Sequence, residues 1–254
     1  MQKFDIEIPT ELITAGDNEI KFEFLKGKTV SGMLGFSKSG KDSIGKILVS
    51  NLGFKRISFG DALKSNLDNH MKIQVFEDLK SKNIEIEFED VDFLHPKNPD
   101  IKELLRPYMI WFGEEMRRRN GQYHWINKAL SEIEENDRKI VITDVRRLSE
   151  LELFMFNKEQ HKRKIKHMEM AGMSVDFIEE NNSNEEFESL LIHVNQFKLE
   201  DGDKLTQETI MTAHRNWLID DTVFIDSRIP EKNREKYIYK QVLELVKKFP
   251  EYFI

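Results

Sequence analysis

Four residues separate Gly35 from the Gly40-Lys41 pair in the run Gly35-Phe36-Ser37-Lys38-Ser39-Gly40-Lys41-Asp42-Ser43, which is the spacing of a phosphate-binding P-loop. Glycine lets the backbone curl until several amides face one set of phosphate oxygens. The helix expected after the loop adds the positive end of its dipole. Lys41 is placed to reach the β- and γ-phosphates of a nucleotide. Gly35, Lys38, Ser39, Gly40, Lys41, Asp42 and Ser43 are therefore the candidate ATP-binding residues. Asp42 stands where a Ser or Thr magnesium ligand is usual. It becomes a candidate Mg²⁺ ligand, directly or through water, with Ser43 on an inner phosphate.

Asp144 closes the apolar run Lys139-Ile140-Val141-Ile142-Thr143. An acid at the end of a buried strand beside such a loop can hold the magnesium shell, and ligands of open α/β sheets bind at the carboxyl ends of strands. An aspartate capping the following helix would look the same in sequence. Arg106, Arg117, Arg118, Arg119, Arg146 and Arg147 form a second group. Phosphoryl transfer gathers negative charge, and arginines position and stabilise it through bidentate hydrogen bonds. Some of Arg117 to Arg119 also fit a solvated helix face. On an unbroken helix Arg106 and Arg117 share a side, with Arg118 about 120° away.

These residues need a sheet edge to hold them. Thr29 to Leu34 reads as a strand, Gly40 to Asn51 as a helix, Phe54 to Phe59 as a strand, and the segment from Gly60 as a helix with Leu63, Leu67 and Met71 on one side. Asp100 is a candidate cap for a helix carrying Leu104 to Phe112. A further helix holds Trp125 to Ile133. After the strand that ends at Asp144 come a short helix near Leu148 to Phe156, a candidate strand at Lys164 to Met168, a strand at Thr222 to Asp226 and an amphipathic helix from Glu231 to Lys248. Strands alternating with helices predict an α/β fold, a P-loop three-layer arrangement around a central parallel sheet. Residues 1–28 alternate weakly and predict short strands forming a hairpin around Gly16-Asp17-Asn18, in an N-terminal extension. The main α/β domain then spans 29–254, with a helical part near 60–130. The polar stretch near 170–217 predicts an inserted lid.

Composition narrows the function classes. The 254 residues carry a net charge of −7 and no cysteine. The charge argues against a general binder of polymeric nucleic acid, which needs a basic surface. Disulfides and cysteine-ligated zinc are excluded. No apolar run reaches the ~18 residues of a membrane span, and the N-terminus has no signal-peptide core. A cytoplasmic location is the default expectation.

Five segments, taken in order, resemble the phage-type deoxynucleoside monophosphate kinases, relatives of the adenylate and guanylate kinases. Ser39-Gly40-Lys41-Asp42-Ser43 is similar to that family's SGKD[ST], which accounts for Asp42. Ile57-Ser58-Phe59-Gly60-Asp61-Ala62-Leu63-Lys64 is similar to its ISFADPLK. Arg106, Gly113 and Arg118 match its Arg, Gly and Arg spacing, His124 to Leu130 its WVNKAL helix, and Asp144-Val145-Arg146 with Glu150 its strand end. The likeness covers about residues 29–227. It implies Mg²⁺-dependent transfer from ATP to a (deoxy)nucleoside monophosphate, in the host cytoplasm if the chain is phage-encoded, and leaves room for a homodimer. It implies Lys41, Arg106, Arg118 and Arg146 as catalytic residues. It also implies Asp61, Lys64, Arg106, Arg118, Trp125, Asp144 and Arg146 at the acceptor, and Asp42 and Asp144 at the metal. Ile110 and Glu114 replace a usual Gln and Thr near the base. The motif register favours Arg118 where an ideal helix favours Arg117; Gly113 would have to break the helix for the motif to hold. His214 and Arg215 are candidate lid contacts. Another P-loop small-molecule kinase, or a nucleotide-hydrolysing or sensing protein, would carry the same loop.

Overall fold

The computed structural model describes the chain except residues 1–3, 5, 15, 37–38, 156–186, 197–203, 216–217 and 227. It divides into two compact units, Lys21–Ser58 with Leu130–Ile254, and Met1–Ile20 with Phe59–Ala129.

The larger unit is built on a sheet of five described strands: β1 (Thr29–Leu34), β2 (Lys55–Ile57), β3 (Lys139–Val145), β4 (Glu188–Gln196) and β5 (Asp221–Ile225). Their order is β2-β3-β1-β4-β5, and every pairing is parallel. The strands are apolar on both faces, as parallel strands covered by helices must be. One face carries Met33, Val141, Leu190, Ile192 and Val223. It is covered by α1 (Lys41–Leu52) through Ile44 and Leu48, by α8 (Glu231–Lys248) through Ile238, Val242 and Leu245, and by α9 (Pro250–Phe253). On the other face α6 (Leu148–Met155) sets the Phe154 ring 2.3 Å from where a Gly32 Cβ would sit. α7 (Lys204–Arg215) packs against α6. This is the three-layer α/β arrangement with a central parallel sheet that the alternating pattern predicts.

Helix α1 begins at the loop and ends where Gly53 adopts φ +70° and the Phe54 amide donates to Leu48 O at 3.3 Å, a glycine C-cap. Gly35 has the stricter requirement. It has φ +151°, and a Cβ there would lie 2.4 Å from the Val194 carbonyl oxygen. Gly35→Ala is therefore expected to cost on the order of 3 kcal/mol in denaturant unfolding; a wild-type midpoint in the variant would contradict this packing.

In the smaller unit, α2 (Phe59–His70), α3 (Lys72–Ser81), α4 (Pro99–Asn120) and α5 (His124–Leu130) bury Leu67, Val75, Leu105, Phe112, Met116 and Trp125. The expected single helix from Gly60 is two helices that meet at Met71. The cap of α4 is Asn98, whose side chain accepts from the Ile101 amide at 2.9 Å, with Pro99 at the first turn; Asp100 lies inside the helix.

Two further sequence expectations fail. Residues 1–28 form no hairpin among the described residues, but short 3₁₀ turns at Thr10–Leu12 and Phe22–Leu25. Their polar groups are satisfied by helices instead of by a partner strand. Asn120 accepts from the Thr14 amide at 2.8 Å and donates to Leu12 O at 2.8 Å. Asp17 accepts from His124 Nδ1 at 2.8 Å and from Asn127 at 3.1 Å. The predicted lid also included β4, which is a central sheet strand. Leu190, Leu191, Ile192 and Val194 are buried within it, and it is held by β1 on one side and β5 on the other. Residues 204–215 are likewise the sheet-covering helix α7. The first part of the predicted lid, up to residue 186, lies outside the described residues, as does the candidate strand 164–168.

Candidate functional site

All five strands point their carboxyl ends the same way, and the loop between β1 and α1 lies at that edge. The chain leaves β1 toward β2 and leaves β4 toward β5, on opposite sides. The β1–β4 boundary is therefore the topological switch point at which doubly wound sheets bind ligands. Gly40 caps α1 with φ +101°, a conformation glycine adopts freely. Ser39 and Lys41 are buried. Lys41 Nζ donates to Gly35 O at 2.8 Å, to Phe36 O, and to Ser39 Oγ at 3.3 Å. The ammonium thus holds its own loop in a curl. Ser43 opens the exposed side of α1. Lys38 lies outside the described residues.

The end of β3 supplies the second group of this unit. Asp144 is half-buried and accepts from Ser58 Oγ at 2.9 Å. Glu150, itself buried, accepts from the Arg146 and Arg147 amides at 2.7 and 3.0 Å. Thr209 of α7 donates to Arg146 O at 2.8 Å. The Arg146 backbone is therefore held from two sides. Its guanidinium Nε is buried and has no hydrogen-bond partner among the described residues. A buried cationic donor without a partner is costly unless an anion completes it.

Asp42 and Asp144 are hard oxygen donors, the kind Mg²⁺ takes. Asp42 is 76% exposed and lies 3.8 Å from Arg56. Among the described residues no three His, Asp or Glu side chains gather into a metal site.

In the smaller unit, Asp61 and Lys64 are half-buried and paired at 2.7 Å on α2. Arg106 is exposed on α4 and pairs with Glu103 at 3.2 Å. Helix α4 runs without a break past Gly113, so Arg106 and Arg117 share a face of it, as the ideal helix predicts. Arg117, 16% exposed, donates to Gly113 O at 3.5 Å and Glu114 at 3.3 Å. Arg118 is 68% exposed and is spent on Glu115 through Nε at 2.9 Å and a second bond through Nη2. The Arg118 hydrogen bond, with Arg119 adding to it, holds the Glu115 carboxyl down to about 2. A Cβ at Gly113 would come within 2.7 Å of the Leu63 Cδ1 methyl, which would have to shift to admit it. Trp125, expected at the acceptor, is a core residue 1% exposed whose indole donates to Gly113 O at 3.1 Å. It supports α4 from behind.

Two residues that sequence reasoning left out are Ser58 and His193. His193 is buried in β4, with Nδ1 3.1 Å from His214 Nε2 on α7. Burial, with the His214 and Lys41 charges adding to it, pushes its imidazole down from 6.5 to about 4. The unfolded chain then binds the extra proton between those values. Stability from a neutral His193 is complete above pH 6.5 and is lost as pH falls toward 4. Between pH 7 and 5 this group should cost about 2 kcal/mol. Urea unfolding at the two pH values should show a smaller acid loss in His193→Gln than in wild type; equal losses would contradict it.

A family model described as phosphomevalonate kinase matches residues 33–160, half of the chain, from the end of β1 past α6. Among solved structures, a dephospho-CoA kinase from Campylobacter jejuni is similar at 12% identity, covering 87% of this chain and 97% of that one, with a TM-score of 0.34. A gluconokinase from Sinorhizobium meliloti 1021 is similar at 15% identity over 88% and 97%, with a TM-score of 0.28. Neither score is high enough to bear on activity. No curated protein matches the chain. No helix among the described residues is long and apolar enough to cross a membrane.

Proposed function

The chain belongs to the phosphomevalonate kinase family and is a P-loop kinase, and on that premise we propose that it transfers the γ-phosphoryl group of MgATP to the phosphate of a deoxynucleoside monophosphate, releasing ADP and the diphosphate. The observation that carries an anionic acceptor is Arg146: a buried guanidinium Nε without a partner among the described residues, two residues beyond Asp144 at the ligand-binding edge of the sheet. The five ordered segments favour a nucleotide as the bearer of that phosphate. The family's name favours phosphomevalonate, which also bears a phosphate, and that is the second reading.

Each unit has its part in this reading. In the larger, Lys41 and the loop amides hold the donor phosphates, and Arg146 binds the acceptor phosphate or the group in transfer. Asp42 or Asp144 would hold magnesium with the nucleotide, where it would neutralise charge on the donor. In the smaller, Asp61, Lys64, Arg106 and Arg117 serve the acceptor, with Arg117 in the role the motif register gave to Arg118. No strong general base is needed, because the attacking phosphate oxygen is already an anion. Arg117→Ala should raise the acceptor KM about tenfold, the scale of one lost charge-assisted contact. Arg118→Ala should change it less than about twofold, as exposed pairs do. The reverse order would restore the motif register.

The substrate is tested by coupled ADP release with each deoxynucleoside monophosphate, with phosphomevalonate and with no acceptor. At least one deoxynucleotide should give turnover well above the no-acceptor rate. Turnover with phosphomevalonate alone would replace the nucleotide reading; equal rates with and without any acceptor would replace the kinase with a hydrolase.

A further inference from the structure

The histidine pair has no part in that mechanism, yet it sits at the switch point. His193 is the register partner of Leu34, the last residue of β1. The next residue, Val194, presents the carbonyl oxygen against which Gly35 packs. The start of the loop is therefore seated on the stretch of β4 that His193 anchors. The two imidazoles lie edge to face, with ring centroids 5.1 Å apart and planes at 78°. Their nitrogens are 3.1 Å apart, within hydrogen-bond range.

Helix α7 brings this contact, and it brings a second. Thr209 bonds Arg146 O beyond the end of β3, and His214 bonds His193 on β4. β3 and β4 are the two neighbours of β1. One helix therefore ties together, through polar bonds, both strands that flank the loop-bearing strand. A buried neutral imidazole must find a partner for its unprotonated nitrogen. With His214 Nε2–H as donor, His193 Nδ1 is the acceptor and the His193 proton sits on Nε2. The charged groups that face His193 are Lys41 of the loop and His214 of α7. A charged His193 would repel both, so the arrangement requires it neutral.

We propose that His193 and His214 are positioning residues for the donor loop: the hydrogen bond from α7 to β4 fixes the seat of Gly35, so that affinity for MgATP depends on it. This rests on the reading of the loop as an ATP site. Titration calorimetry of MgATP with the full-length protein tests it at pH 7, beside thermal melting of each variant. His214→Gln keeps an N–H donor and should bind within about twofold of wild type. His214→Leu removes the donor and should bind about three- to tenfold more weakly, the scale of one partly buried hydrogen bond. His193→Asn places an acceptor oxygen near the position of Nδ1 and should also bind within about twofold, which keeps the test decisive if His214→Leu does not fold. Wild-type affinity in His214→Leu, a Gln variant as weak as Leu, or a tenfold loss in His193→Asn would overturn the proposal. Failure of the wild type itself to bind MgATP would sink the ATP reading along with it; binding by the wild type with unchanged variants would sink the histidine pair alone.

Discussion

Lys41→Ala should lower kcat about a thousandfold, the scale on which losing one preorganised transition-state contact is felt. Lys41 is 4% exposed and is the first residue of α1, so its ammonium is confined to the loop's interior. It donates to Gly35 O, Phe36 O and Ser39 Oγ. Phosphate oxygens are stronger acceptors than these carbonyls because they are charged. Binding should draw Nζ from the loop to the nucleotide. Charge developing on the bridging and transferring oxygens strengthens the contact further, which is why the loss falls mainly on kcat. Alanine fits the first turn of a helix and leaves no buried charge, so the far-ultraviolet spectrum and cooperative unfolding should persist. A folded Lys41→Ala protein with near-normal turnover would rule out this loop as the donor site.

Arg146→Ala should have the second largest effect, a loss of about a hundredfold in kcat/KM for the acceptor. The backbone of Arg146 is fixed by Glu150 and Thr209, neither of which the substitution touches. The missing element is the guanidinium, whose buried Nε has no partner among the described residues. Arg146→Lys should recover little, because lysine carries no donor at the depth of Nε and cannot form two parallel bonds to a phosphate. The KM for ATP should change less than about twofold, since the donor is held by the loop. An equal rise in both KM values would move Arg146 to the donor, and rescue by lysine would reduce its role to bare charge.

How far these assignments could be read from sequence depended on whether local pattern or distant contact decides the structure. The loop was legible because the spacing of Gly35 and Gly40 is itself the backbone requirement, and because β1 and α1 on either side have unmixed periods. β4 is hidden in the sequence, although Leu190-Leu191-Ile192 is a short apolar run of the kind that forms buried strands. Glutamate- and asparagine-rich sequence before it made the whole region look polar, and His193 went unread with it. The N-terminal alternation was real but did not determine pairing. Asn120, His124 and Asn127, more than a hundred residues away, satisfy the groups a hairpin would have used. Choosing between Arg117 and Arg118 turned on whether Gly113 interrupts α4. A motif cannot answer that; the tolerance of a helix for one glycine packed against Leu63 does. Trp125 shows the same limit, since its residue type fits a pocket wall as well as the core it occupies.

Phosphorus NMR of the reaction mixture tests the central claim most directly. Wild-type protein with MgATP and an accepted deoxynucleoside monophosphate should produce ADP and the deoxynucleoside diphosphate in equal amounts. The new β-phosphate resonance should be coupled to the acceptor's own phosphorus, and no orthophosphate should accumulate in step. Coupling between the two phosphorus nuclei proves that the acceptor's phosphate oxygen was the nucleophile. Orthophosphate formed at the same rate with and without acceptor, or a product phosphorylated on a sugar hydroxyl, would contradict the account.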